Sequence, residues 1–335
     1  MGNKATQPLS FNTIRRSQTK ARAKRRSTQR IVLLAMFATV ALILVSLLVF
    51  GGFAIANAII DARPPQSNDG GTNTPNEPTS AIEFEQITIT ADEIYSGQLI
   101  LVNNDNRYTF PAGLSLLRIY DNMTLKPNGS TIYRPVSADY RLEAEALSAL
   151  NAMMYKHYEF DDVATFAISS AYRTLEDQAA LNSSVLPGHS DHHTGYCVAI
   201  QYSDRSNLEN DHWIYQNCYK FGFVVRYPEG KESFTGVSDY KHCLRYVGVA
   251  HATYMYQNNL CMEEYLDKLK SQYNSYDNRL SILAADGYVY EVYYVEASDS
   301  EVTTFYRPTK NYESTVSGDN RSGFIVTVKL IPPAA

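Results

Sequence analysis

Between Ser169 and Gly248 the chain gathers the side chains best suited to chemistry: His189, His192 and His193, the thiols Cys197, Cys218 and Cys243, the cation Arg173 and the phenol Tyr240. Imidazole and thiolate are common zinc ligands, and a zinc held by three protein ligands lowers the pKa of a bound water to about 7. Each residue also has a plainer reading. A histidine alone is more often hydrogen-bonded than metal-bound, and His189 and His193 project in other directions from His192 on a strand or turn. Arg173 has Glu176 and Asp177 nearby as ion-pair partners. None of the four cysteines, Cys197, Cys218, Cys243 and Cys261, lies in a CxxC pair.

Four blocks carry a more specific signal: SSAYRTLEDQ (169–178), PGHSDHHTGYCVAI (187–200), KFGFVVRYPEGKESFTG (220–236) and HCLRYVGVAHATYM (242–255). In this order they resemble the zinc D-alanyl-D-alanine carboxypeptidases of the vancomycin-resistance type, over roughly residues 85–270. The tail pattern SGDNRSGFIVTV also looks like tails on clostridial relatives. The resemblance implies a motif S-x-H-x-x-x-x-x-x-D, then T-G, then E-x-x-H before L/F-R-Y. In that family the two His and the Asp hold zinc, and the Glu is the general base. Ser190 and His192 match. The Asp position is Ala199. Counted from Thr235-Gly236 to Arg245-Tyr246, the Glu position is Tyr240, the Trp position His242 and the last His position Cys243. Alanine cannot bind a metal, and a phenol with an ordinary pKa near 10 is a poor base at neutral pH. Arg173, at the family's charge-stabilising Arg, and Gln178 and Ser190, at its substrate-contacting positions, imply a groove for a D-Ala-terminated peptide that outlives the zinc chemistry.

The resemblance also gives the cysteines a place. Cys197 precedes Ala199 by two residues and shares its strand face, and Cys243 stands at a ligand position. Two arrangements are open there: a Cys197–Cys243 disulfide replacing the metal, or a rebuilt zinc site of His192, Cys197 and Cys243. Cys218 and Cys261 read as buried thiols on helices. An even count of four allows three connectivities.

The elements that must position these residues follow from periodicity and punctuation. Ile82 to Ile89 and Gln98 to Val102 (QLILV) suggest strands. Asp139 is a candidate cap for a helix carrying Leu142, Ala146, Leu150 and Met153. Thr165–Ser170, Tyr196–Ile200, Phe223–Arg226 and Leu244–Val247 read as strands. Leu175–Leu181, Trp213–Phe221 and Val249–Leu269 read as helices, the last as one or two. Residues 276–335, with the runs YVYEVYYV and FIVTVKL, read as a small all-β appendage. Trp213 and most of the 26 tyrosines are taken as packing. The expected fold is α+β: a small antiparallel sheet with flanking helices, of the LAS peptidase type, over residues 81–275.

The N-terminal part sets the expected location. Residues 1–30 hold nine Lys and Arg and no acid; removing those nine from the 30 leaves 21 basic against 35 acidic residues, a net −14. Ile31 to Ile60 carries no charge, long enough for one transmembrane helix. The basic head predicts a cytoplasmic N-terminus. A cleaved signal peptide, with Ala54-Ile55-Ala56 as its cleavage site, fits less well because its apolar region is too long. Residues 61–80 are a Pro-, Gly-, Asn- and Thr-rich tether. The head lacks interleaved aromatics, so no nucleic-acid partner is expected. At 335 residues with 44% hydrophobic and 19% charged residues, wholesale disorder, collagen and a disulfide-dense miniprotein are excluded.

The expectation is therefore a membrane-anchored, extracytoplasmic protein that binds peptidoglycan stem peptides at a degenerate zinc site. The rival readings are an active metallo-carboxypeptidase with a rebuilt zinc site and a purely structural envelope protein.

Overall fold

The computed structural model describes residues 83–330, apart from 112, 163, 164, 211, 239, 310 and 311. The basic head, the apolar run and the tether lie outside the described residues. Among the described residues no helix is long and apolar enough to cross a membrane.

The strands, in chain order, are β1 (Phe84–Thr90), β2 (Leu116–Arg118), β3 (Tyr133–Pro135), β4 (Arg141–Glu143), β5 (Phe166–Ser170), β6 (Cys197–Tyr202), β7 (Phe223–Val225), β8 (Cys243–Tyr246), β9 (Leu280–Leu283), β10 (Val289–Glu296), β11 (Val302–Pro308), β12 (Tyr312–Gly318) and β13 (Gly323–Leu330). The helices are α1 (Ile119–Asn122), α2 (Ala144–Phe160), α3 (Leu175–Ala180), α4 (Trp213–Asn217), α5 (Glu232–Thr235), α6 (Val249–Gln257) and α7 (Met262–Gln272).

The sheet that matters for the site has five strands in the order β3-β5-β6-β8-β7. It is mixed: β3 runs parallel to β5, whereas β5–β6, β6–β8 and β8–β7 are antiparallel. The expectation of a purely antiparallel sheet is corrected at that edge, because β3 reaches β5 through the crossover helix α2 and so lies alongside it. Alternation along the strands divides the sheet's two faces. Val198 and Ile200 of β6 and Leu244 of β8 pack with Leu147, Leu150, Met153 and Met154 of α2. Cys197, Ala199, Cys243 and Arg245 therefore share the opposite face, and all four are buried there.

Three boundaries differ from the sequence expectation. The helix expected from Asp139 begins at Ala144, because Arg141–Glu143 pair with β2 and the Glu143 carboxylate accepts the Ser115 N–H at 3.0 Å. The segment Gln98–Val102 is buried but forms no ladder. Its backbone is held mostly by side chains: Arg245 donates to the carbonyls of Gln98 and Ile100, both at 3.0 Å, Arg226 to that of Val102 at 3.2 Å, and Asn320 to that of Leu101 at 2.9 Å, while the Leu101 N–H donates to the Asp319 carbonyl at 3.2 Å. The helix expected over Trp213–Phe221 is α4 followed by a 3-10 turn, Cys218–Phe221, which ends at Gly222 with φ +83°.

The C-terminal strands form a four-stranded sheet, β12-β13-β10-β9. β11 pairs instead with β1 along its full length, from Phe84↔Pro308 to Thr90↔Val302. The β region thus recruits a strand from before the peptidase-like part, a pairing that local patterning cannot reveal. At Gly318 the backbone meets the Ile94 carbonyl so closely that a Cβ would sit 2.1 Å from its oxygen, which leaves room for glycine alone.

Candidate functional site

The site lies on the β6–β8 face, under the 3-10 turn Asp191–Thr194. That turn is fixed from below. The Asp191 carboxylate pairs with the guanidiniums of Arg226 and Arg245, and Arg226 also pairs with Glu263 at 2.7 Å. All four side chains are at least nine-tenths buried, so these two acids and two bases compensate one another away from water. The turn closes on Gly195, φ +76°, where a Cβ would meet Leu116 at 2.8 Å.

On this base the turn presents His192. Its N–H donates to the Ser190 hydroxyl at 3.4 Å, and its carbonyl accepts the Arg173 N–H at 3.2 Å. Its Nε2 lies 3.9 Å from Cys197 Sγ, while its Nδ1 is buried without a hydrogen-bond partner. His193 points elsewhere. Its Nδ1–H donates to the Arg173 carbonyl at 2.8 Å and its Nε2 accepts the Gly188 N–H at 2.9 Å. Burial holds its pKa below the ordinary value, and with both nitrogens engaged it acts as a neutral strut. His189 Nδ1 donates to the Asn103 carbonyl at 2.9 Å.

β6 and β8 bring the thiols together. Ala199 is directly opposite Cys243 in the register and Cys197 opposite Arg245, so the two cysteines are diagonal neighbours on one face. Their sulfurs are 2.6 Å apart. Burial, then the contact with Cys243, pushes the Cys197 thiol well above its ordinary pKa, although the neighbouring His192 opposes this. Cys218 and Cys261 are buried elsewhere, one opening the 3-10 turn after α4 and the other capping α7.

Arg173 forms the rim. Its guanidinium donates to the Ser170 hydroxyl, from Nε at 3.0 Å, and to the Gln178 side-chain carbonyl at 2.9 Å, not to Glu176 or Asp177. Gln178 in turn donates to Ser183 and to the Val185 carbonyl. Beside them opens a cavity of about 470 Å³ lined by Tyr140, Arg141, Ser170, Tyr172, Arg173 and Asp177 among others. Tyr240 covers the other side, 38% exposed, with its ring 3.7 Å from that of His242. Partial burial and the neighbouring Cys243 raise its pKa further, while Arg173 opposes the rise. Tyr240 therefore stays protonated at neutral pH and cannot take a proton from water.

The structure thus brings Arg173, Gln178, Ser190, His192, Cys197, Tyr240 and Cys243 to one place. A His–Asp–His zinc set is not available, since Ala199 offers no donor. The donors present are one imidazole and two thiols, His192, Cys197 and Cys243, with ligand atoms within 4.8 Å of one another. With His192 Nε2 turned toward Cys197 Sγ, this set fits a thiolate-type zinc site in its donor chemistry. The buried quartet Asp191, Arg226, Arg245 and Glu263 escaped the sequence reading. Its only local signal is a pair of arginines in strands that otherwise read as core.

Residues 139–249 match the VanY family, D-alanyl-D-alanine carboxypeptidase. The chain is similar to a D-alanyl-D-alanine carboxypeptidase of Enterococcus faecium, 29% identical over 255 residues, covering 73% of this chain and 79% of that protein. It is also similar to one from Enterococcus faecalis (strain ATCC 700802 / V583), 29% identical over 218 residues, 63% of this chain and 79% of that one. Among solved structures, the vancomycin-resistance D,D-dipeptidase VanXYg in complex with a D-Ala-D-Ala phosphinate analog superposes with a TM-score of 0.62 at 25% identity, over 74% of this chain and 99% of its own.

Proposed function

We propose that this chain, which belongs to the vancomycin-resistance-type D-alanyl-D-alanine carboxypeptidase family, binds D-Ala-terminated peptidoglycan stem peptides at the outer face of the membrane without the family's zinc-assisted hydrolysis. The observation that carries the reading is the contrast within one site. Arg173 lines the cavity and is ordered by hydrogen bonds to Ser170 and to the buried Gln178, while Ser190 is buried behind it, holding the His192 N–H. The hydrolytic centre has Ala199 facing Cys243 and a protonated phenol at Tyr240.

Binding requires only what the rim supplies. A guanidinium pre-oriented by Ser170 and Gln178 can take a peptide carboxylate or carbonyl through charge-assisted hydrogen bonds. Hydrolysis requires more: an activated water and a group to accept its proton. Zinc supplies the activated water in this family, and neither Tyr240 nor the occupied His193 is free to accept its proton. The membrane location rests on the basic head and the uncharged run from Ile31 to Ile60.

The test uses the full-length protein in detergent micelles with a pentapeptide ending in D-Ala-D-Ala. Calorimetry is expected to give saturable binding, and amino-acid analysis to find no free D-alanine with or without added zinc. Zinc-dependent D-alanine release would establish the active-peptidase reading instead. Absence of binding would leave the structural reading.

A further inference from the structure

We propose that His192, Cys197 and Cys243 form a soft-metal site which the same two sulfurs, once joined as a disulfide, close: a redox-gated centre in place of a hydrolytic one. It lies behind the Arg173 side of the stem-peptide reading, where the Arg173 backbone N–H meets the His192 carbonyl, but does not depend on that reading, because no peptide enters the argument.

Three observations point here. The donor atoms of one imidazole and two thiols converge within 4.8 Å, all of them buried. The imidazole turns Nε2 to the thiols, where its hydrogen-bond partner is Cys197 Sγ at a long 3.9 Å, while Nδ1, on the far side of the ring, has none. So long a contact to sulfur is readily exchanged for a metal bond, which makes Nε2 the nitrogen that suits an ion shared with the thiols. Finally, the sulfurs stand 2.6 Å apart, between two chemically defined separations. Two Zn–S bonds of about 2.3 Å at a tetrahedral angle place sulfurs roughly 3.8 Å apart, whereas an S–S bond needs about 2.05 Å. Opening by about 1 Å admits a metal, and closing by about half an ångström makes a bond.

Two thiolates and an imidazole select zinc, or cobalt as its spectroscopic substitute, over hard cations such as magnesium or calcium. Closure balances with a peroxide as oxidant. One sulfur attacks a peroxide oxygen, the O–O bond breaks, and a sulfenic acid and one water result. The second sulfur displaces the hydroxyl as another water, forming the S–S bond. Two thiols and one hydrogen peroxide thus give one disulfide and two waters, and any bound metal loses both sulfur ligands. Hydrogen peroxide is small enough for a pocket whose cysteines are at most 1% exposed.

The test uses full-length protein, reduced and then handled without oxygen. Cobalt(II) is expected to bind one per chain with an ultraviolet thiolate-to-cobalt charge-transfer band, and zinc to displace it. One equivalent of hydrogen peroxide is expected to abolish the band, halve the alkylatable thiols from four to two, and link the Cys197 and Cys243 peptides in mass spectra. Cys197→Ser and Cys243→Ser should each lose the band, His192→Ala should weaken cobalt binding at least tenfold, and Cys218→Ser should retain it. Any serine variant whose circular dichroism shows misfolding is set aside, since the wild-type oxidation decides alone. No charge-transfer band in the reduced wild type, or four alkylatable thiols and an unchanged band after peroxide, overturns the proposal. Stem-peptide binding by Cys197→Ser separates this outcome from failure of the binding reading.

Discussion

At the residue scale, the site separates groups that bind from groups that react. On the proposed reading Arg173 is the binding group: Ser170 and Gln178 hold its guanidinium, so it would meet a ligand with little further loss of rotamer freedom. Hydrogen bonds to a charged group contribute about 1.5–3 kcal/mol, so Arg173→Ala is expected to weaken stem-peptide binding roughly 10- to 100-fold. Titration calorimetry checks it, with an unchanged melting temperature as the control for folding. On the proposed reading the reacting groups are missing as a set. If Ala199, Tyr240 and Cys243 are what silences hydrolysis, then Ala199→Asp, Tyr240→Glu and Cys243→His combined should release D-alanine with added zinc, whereas each alone should not. Catalytic groups that act as a unit are strongly non-additive. Turnover by any single variant would show that the three positions do not act together.

At the scale of elements, the 3-10 turn bearing His192 depends on what lies beneath it. Replacing one member of a buried ion pair leaves its partner uncompensated, at about 3–5 kcal/mol. Asp191→Asn should therefore lower the melting temperature by roughly 10 °C and loosen the metal and peptide sites together. A second buried group joins α6 to the β region: His251 Nδ1 meets the Tyr265 hydroxyl at 2.7 Å and Nε2 the Thr327 hydroxyl at 3.0 Å. Burial lowers its pKa from 6.5 to about 3. Below pH 6.5 the unfolded chain takes a proton that the folded chain refuses until about pH 3, so stability falls as pH drops through that window. His157, lowered to about 4 by burial, acts in the same direction. Melting measured at pH 6.5 and 4.5 should differ by on the order of 5 °C, and His251→Gln should make the slope shallower. These links also show what the sequence disclosed. The strand period of two placed Cys197 with Ala199, and the motif count placed Cys243 opposite, so the site's membership was legible. The Asp191–Arg226–Arg245–Glu263 quartet was not, because its partners are 35 to 54 residues from Asp191 or from one another. Gln98–Val102 misled for a related reason: an apolar run predicts burial, whereas strand assignment needs a backbone partner, and here arginine side chains take that role.

At the scale of the whole molecule, charge and hydrophobicity are distributed along the chain in a way that the described fold does not account for. Residues 1–30 carry nine positive charges and the run that follows carries none, and both lie outside the described residues 83–330. The proposed membrane anchor would use both. About 20 apolar residues span a bilayer's hydrocarbon core, and arginine and lysine resist transfer across it. Protease added to intact cells should therefore digest residues 81–335 and leave a protected N-terminal fragment containing the head, detectable with an N-terminal epitope. A mature protein starting near Asn57 would mean that the run is a cleaved signal. Loss of the N-terminal epitope to external protease would invert the orientation. The first result would leave the domain exported but unanchored; the second would place it in the cytoplasm and remove the reason for a D-alanine-terminated ligand.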